Sequence, residues 1–186
     1  MLPPGHFAAG YLTASLAIHF LKQVYPQVTE FHFLAVALFF SVAPDLDDFY
    51  AFFKIGRPIA ATKDIDHRKF LSHAPFIHLL IAAIGFIGAK LLGSSDWQLY
   101  SILYLIGTWT HFIFDSFGYG IMWLWPKSTK LYALFRPNKR LNISENLAPF
   151  EYWIKFVEEY FKDPVFYIEI SVILFSVLIF YQRNFS

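Results

Sequence analysis

Hydrophobic residues along this chain gather into five long runs separated by polar stretches. The runs extend from Phe7 to about Val24, Phe31 to Ala43, Ala74 to Leu92, Leu99 to about Phe117, and Val165 to Tyr181. Each reads as an apolar helix. Crossing a bilayer takes roughly 20 apolar residues, within a range of about 17–25. The last three runs reach that length. The first two are shorter or less apolar and read as a helical hairpin packed against the others. Between the runs, Phe49 to Asp66 looks partly helical and interfacial, and Lys127 to Leu147 is a basic connection broken by Pro137. Pro149 to Lys162 places aromatics at helical spacing with charges between them, the pattern of an amphipathic helix lying on a membrane surface. No internal repeat is visible. The expected fold is all-α: one domain over residues 1–186, a polytopic bundle of about five apolar helices with one interfacial helix.

Composition strengthens the membrane reading. The chain is 56% hydrophobic and only 16% charged, where soluble domains carry about 25% charge. A net charge of +1 gives no general case for nucleic-acid binding. There is no cysteine, so any bound metal must take histidine and carboxylate ligands. No basic region precedes the first run, so a cleaved signal peptide is not expected. If the runs alternate across a bilayer, all but Lys22, Lys90 and Arg183 of the 15 lysines and arginines share the face that carries the N-terminus. The positive-inside rule makes that face cytoplasmic.

One pair of residues interrupts the fourth run. His111 and Asp115 stand one helical turn apart, on one face, with no other strongly ionisable side chain between Leu99 and Phe117. A carboxylate in such surroundings needs a partner or a metal. The alternating topology brings further residues of the same kind to the same end. His6 opens the first run, Asp45 and Asp47 close the second, and His67 and His73 precede the third. Each has a simpler explanation by itself. His111 and Asp115 can be a hydrogen-bonded pair that fixes helix packing. Asp45, Asp47 and Asp48 can cap a helix. The segment from His67 to His73 can be plain juxtamembrane charge. Their convergence instead suggests a metal centre with His6, Asp45, His67, His73, His111 and Asp115 as candidate ligands. His19 and His32 fall toward the other end. Asp48, His78 and Glu169 stay open as ligands or supporting residues.

This order of motifs resembles the YbcI/YdjM-type family of bacterial inner-membrane proteins, described as metal-dependent hydrolases. The motifs are an early histidine before a small-residue helix, Pro44-Asp-Leu-Asp47, His67-Arg68 with a second histidine after it, and His111-x-x-x-Asp115. The resemblance is carried by roughly residues 5 to 120. The family is in turn distantly similar to zinc-dependent phospholipase C and related nucleases, which implies a bridging role for Asp45 and a helix pair in His111 and Asp115. Lys69 and Ala74 depart from the family pattern, and no histidine follows His111, which argues for one or two metal ions rather than three.

The resulting expectation is a membrane-embedded hydrolase of an ester, most plausibly a phosphoester of a lipid or lipid-like substrate. Zn²⁺ suits the ligand types, with Mn²⁺ as the alternative. Asp45 or Asp47 would orient or deprotonate water, and Arg68 would steady phosphate charge through a planar, bidentate contact. The rival expectation is a transporter or metal-binding scaffold without hydrolysis.

Overall fold

The computed structural model describes residues 1–29, 31–48, 50, 53, 66–135 and 147–185, without the side chains of His67 and Pro149. Its described residues form six α-helices and no strands: α1 (Pro3–Leu21), α2 (Phe31–Val42), α3 (Pro75–Leu91), α4 (Ser95–Gly118), α5 (Pro149–Phe161) and α6 (Pro164–Phe185). Prolines open α1, α3 and α5, where a missing backbone N–H costs nothing. Short 3-10 turns at Ala43–Leu46, His67–Lys69 and Leu71–His73 carry the acidic and histidine motifs.

The all-α class holds, and the span count narrows. By length and apolarity, α6 is the one helix among the described residues able to cross a membrane. α2 and α3 are apolar but have 12 and 17 residues. α4 has 24, but Asp96, Gln98, His111 and Asp115 lower its apolarity. Most of Phe49 to Asp66, and residues 136–146 of the basic connection, lie outside the described residues.

α4 is the central helix and packs on α1, α2 and α3, while α6 packs on α1. The turn from α3 to α4 is local chemistry. Gly93 takes φ of +68°, which lets Ser94 N–H reach the Ala89 carbonyl and close α3. Ser94 then caps α4 by accepting from the Trp97 N–H. α2 and α4 approach closely at Gly107, where a Cβ would lie 2.5 Å from the Ala37 carbonyl oxygen. Only a residue without a side chain lets α2 and α4 come so near.

Burial divides the bundle by kind. One end is an apolar plug of Ile18, Val28, Phe33, Leu99 and Leu103. The other end buries His6, His73, His111 and Asp115. α5 shows three faces at helical spacing. Tyr152, Phe156 and Tyr160 are buried against Leu2, Leu147 and Phe166. Phe150, Ile154, Val157 and Phe161 form an exposed apolar stripe. Glu151, Lys155 and Glu158, continued by Lys162, form an exposed charged one.

Candidate metal centre

Four chain segments supply the polar end. α4 contributes His111 and Asp115, the turn after α2 contributes Asp45, the turn before α3 contributes His73, and the start of α1 contributes His6. One ligand atom from each of Asp45, His73, His111 and Asp115 lies within 4.8 Å of the other three. His111 Nε2 stands 3.4 Å from His73 Nε2, 3.5 Å from Asp45 Oδ1 and 3.6 Å from Asp115 Oδ2. His73 Nε2 stands 3.6 Å from Asp45 Oδ1. A tetrahedral ion with bonds of about 2.0–2.2 Å spaces its ligand atoms roughly 3.3–3.6 Å apart. These four spacings fit such an ion, and the whole donor set lies within 4.8 Å.

The far nitrogens explain why these rings point inward. His73 Nδ1 donates to Asp47 Oδ2 at 3.0 Å, and His111 Nδ1 donates to the Ser41 carbonyl at 3.0 Å. Each bond commits Nδ1 as an N–H and turns Nε2 toward the cluster, where it carries a lone pair whenever the ring is neutral. Two such lone pairs facing each other at 3.4 Å repel unless a proton or a cation lies between them. Ser72 Oγ donates to the same Asp47 oxygen, so Asp47 is engaged from two sides.

The electrostatics point the same way. Burial alone pushes the His73 imidazolium down, yet the hydrogen bonds to Asp45 and Asp47 and the charge of Asp47 and Asp115 raise it to about 9. Burial likewise opposes the Asp45 carboxylate, but the hydrogen bond from His73 and the charge of its histidine neighbours hold it below its usual value. Asp45 and His73 thus hold each other in their charged forms.

His6 lies alongside this group. Its Nε2 is 3.1 Å from Asp115 Oδ1 and 3.9 Å from Asp45 Oδ2, and its ring stacks on His111 at 4.0 Å. The α-amino group of Met1 donates to the same Asp115 oxygen at 2.7 Å. That contact, the Ser41 carbonyl and the Ser72 hydroxyl were not among the sequence-derived candidates, and backbone groups and a lone serine leave no pattern to find.

The remaining candidates are placed as follows. Asp47 supports His73 from behind. Arg68 lies with its guanidinium 4.2 Å over the Tyr119 ring and 3.5 Å from Asp66. Burial pushes the Tyr119 hydroxyl up to about 12, against the pull of Arg68 and with the help of Asp115. The His67 side chain lies outside the described residues. His78 bonds elsewhere: Nε2 donates to the Ser72 carbonyl at 2.9 Å, and Nδ1 accepts from the Tyr104 hydroxyl at 2.7 Å. Glu169 accepts from the backbone N–H groups of Leu2 and Gly5, each at 3.2 Å, and from the Tyr160 hydroxyl. His19 is exposed, away from the cluster.

Neither the curated proteins nor the solved structures yielded a match. The likeness to zinc-dependent phospholipase C therefore rests on the short motifs alone. One family model does match, over residues 1–185, and it is that of the family that the motif order resembles: the chain belongs to the YdjM inner membrane protein family.

Proposed function

We propose that this protein is a metal-dependent hydrolase embedded in the inner membrane, acting on a phosphoester of a lipid or lipid-like substrate. The observation that carries the reading is the group of four facing ligand atoms, from half-buried Asp45 and from buried His73, His111 and Asp115, with both rings held by hydrogen bonds on their outer nitrogens. In this reading the shorter helices α2 and α3, with α1 and α4, cross the bilayer together with α6, and the exposed apolar stripe of α5 lies in its surface. The cluster faces the cytoplasm, on the side of the basic residues.

Zn²⁺ is the expected ion, with Mn²⁺ as the alternative, and one or two ions in all. When bound, such an ion supplies Lewis acidity toward a phosphoryl oxygen and lowers the pKa of water toward about 7. The chain supplies the rest. Asp45 orients the attacking water and accepts its proton. Asp47 holds His73 in the tautomer that presents Nε2. Arg68 swings from the Tyr119 ring to pair with phosphate oxygens. The apolar helices around the cluster exclude bulk water and accept hydrocarbon.

The test is metal content of the purified protein beside a screen of phosphomonoesters and phosphodiesters in mixed micelles. The reading requires a stoichiometric transition metal and turnover that a chelator abolishes and Zn²⁺ or Mn²⁺ restores. Bound metal without turnover on any ester would favour a scaffold, and metal-coupled ion flux in vesicles a transporter.

A further inference from the structure

A cavity of about 840 Å³ runs between α2 and α3 over a floor of α4, its lining including none of the four cluster residues. Its walls are apolar: Val36 and Phe40 on one side, Ile81 and Ile84 on the other, with Tyr100 and Tyr104 below. From Ile81 to Leu92 the groove extends about 16 Å at 1.5 Å per residue, close to half of a hydrocarbon core about 30 Å thick. Gly88 leaves the groove open, since a Cβ there would meet nothing within 4 Å.

Three observations select its occupant. First, the rim is continuous with the exterior of α3, where Leu80, Ile84, Ile87 and Leu91 are 45%, 71%, 58% and 83% exposed. In an inner-membrane family, that surface is covered by acyl chains. Second, the inner end of the groove adjoins the metal centre. Phe40 precedes Ser41, whose carbonyl holds His111. Tyr104, stacked edge-on to Phe40, bonds His78, which bonds the backbone of Ser72 beside His73. Third, an apolar channel ending beside a set of metal-ligand atoms suits a molecule with one long tail and a head that would ligate a bound metal ion, such as a phosphate. A helix from a second copy has no use for that polar end.

We propose that this groove binds the hydrocarbon chain of a single-tailed or long-chain anionic amphiphile whose head reaches the Asp45–His73–His111–Asp115 group. The inference rests on the function proposed above and adds the substrate class: the tail lies along α4, and the headgroup is a phosphate at the cluster.

The experiment uses the full chain in nanodiscs with two probes of equal tail length, each carrying a diazirine in the tail. One is a lysophosphatidic acid and the other its phosphate-free alcohol. The expected result is photolabelling concentrated on Phe40, Trp97, Tyr100 and Tyr104, stronger for the phosphate probe. Gly88→Phe fills the groove from an open position, so the helix should keep its fold. It should lower groove labelling about tenfold while metal content is unchanged. Ile87→Phe, on the outer face, is the control and should leave labelling as it is. Equal labelling of the groove and of Ile87 and Leu91 would mean ordinary boundary lipid and overturn the proposal. So would a Gly88→Phe protein that changes from dimer to monomer with labelling unaltered, since a second copy would then own the groove. The two readings fail separately. Groove labelling in a protein without metal or turnover keeps the tail site and removes the hydrolase. Metal and turnover with evenly spread labelling do the reverse.

Discussion

Asp115 and Glu169 are both carboxylates buried in apolar helices, 3% and 4% exposed, and both lie against the start of α1. Their surroundings differ in what they offer. Among the described residues Glu169 meets only donors: the backbone N–H groups of Leu2 and Gly5 at the start of α1 and the Tyr160 hydroxyl. Burial, and then the hydrogen bond to Glu169, pushes that hydroxyl far above its usual range, so it stays protonated and donating. The first N–H groups of a helix lack partners within it, and Glu169 supplies one. Asp115 meets the Met1 amine and His6 on one oxygen, but its other oxygen faces a second acceptor, His111 Nε2, which also faces Asp45 and His73. A buried acid whose neighbours all donate is complete as it stands. One that shares its pocket with inward-facing ring nitrogens and another acid needs positive charge between them, from a proton on a ring or, in the function proposed above, from a metal ion.

The largest expected effect breaks the Asp115 side of this contrast. Asp115→Asn is nearly isosteric, so the protein should still insert and accumulate. Metal content should fall from stoichiometric to background, and turnover with it. His19→Gln, at an exposed position outside the cluster, should change neither. If Asp115 serves only to pair with Met1 and His6, the asparagine protein will melt earlier but keep its metal, and the catalytic reading of the helix pair falls.

Next in size is Asp47→Asn. It leaves the four facing atoms in place and weakens the support of His73, so metal affinity should drop about 10–100-fold. Competition with a fluorescent chelator reads this directly. An unchanged affinity would show that Asp47 does not orient the ring.

How much of this contrast the sequence shows depends on distance along the chain. His111 and Asp115 sit one turn apart in a single apolar run, so their shared face is legible at once. The gathering of His6, Asp45 and His73 at that end is legible from topology, because alternating helices bring those chain positions to one face. The division of labour between Asp45 and Asp47 is not. Asp45 lies within the 3-10 turn and Asp47 just past its end, so the local backbone sets their directions, and only the structure places Asp45 toward the cluster and Asp47 behind His73. Glu169 shows the same limit from the other side. Its burial and its position near one end of an apolar helix are plain, but its partners are backbone groups more than 160 positions away, which carry no sequence signal. α4 falls short of a membrane span by composition partly because His111 and Asp115, which join the cluster, lower its apolarity along with Asp96 and Gln98.

Glu169→Gln tests the completed side. The amide replaces one accepting oxygen with an NH₂ group that faces other donors, and a buried donor left unpaired costs about 1–3 kcal/mol. The melting temperature should therefore fall. Metal stoichiometry should not, because none of the four facing atoms has moved. Loss of metal from this variant would mean that Glu169 belongs to the centre, and the separation of the two carboxylates would collapse.

The smallest expected change is the sharpest test of why Glu169 is complete. Tyr160→Phe keeps the ring that stacks on Phe156 with centroids 5.8 Å apart and removes only the hydroxyl. Glu169 then retains the Leu2 and Gly5 N–H groups, so it loses one of three donors and gains no repulsive contact. A hydrogen bond to a charged group is worth about 1.5–3 kcal/mol, a neutral one about 0.5–1.5. The two remaining backbone bonds should absorb part of that loss, leaving a destabilisation near the lower figure and below that of Glu169→Gln. Chemical denaturation in detergent, followed by tryptophan fluorescence, measures both variants on one scale. If Tyr160→Phe proves the more damaging of the two, the hydroxyl rather than the capped helix start dominates this corner, and Glu169 is held by α5 instead of holding α1.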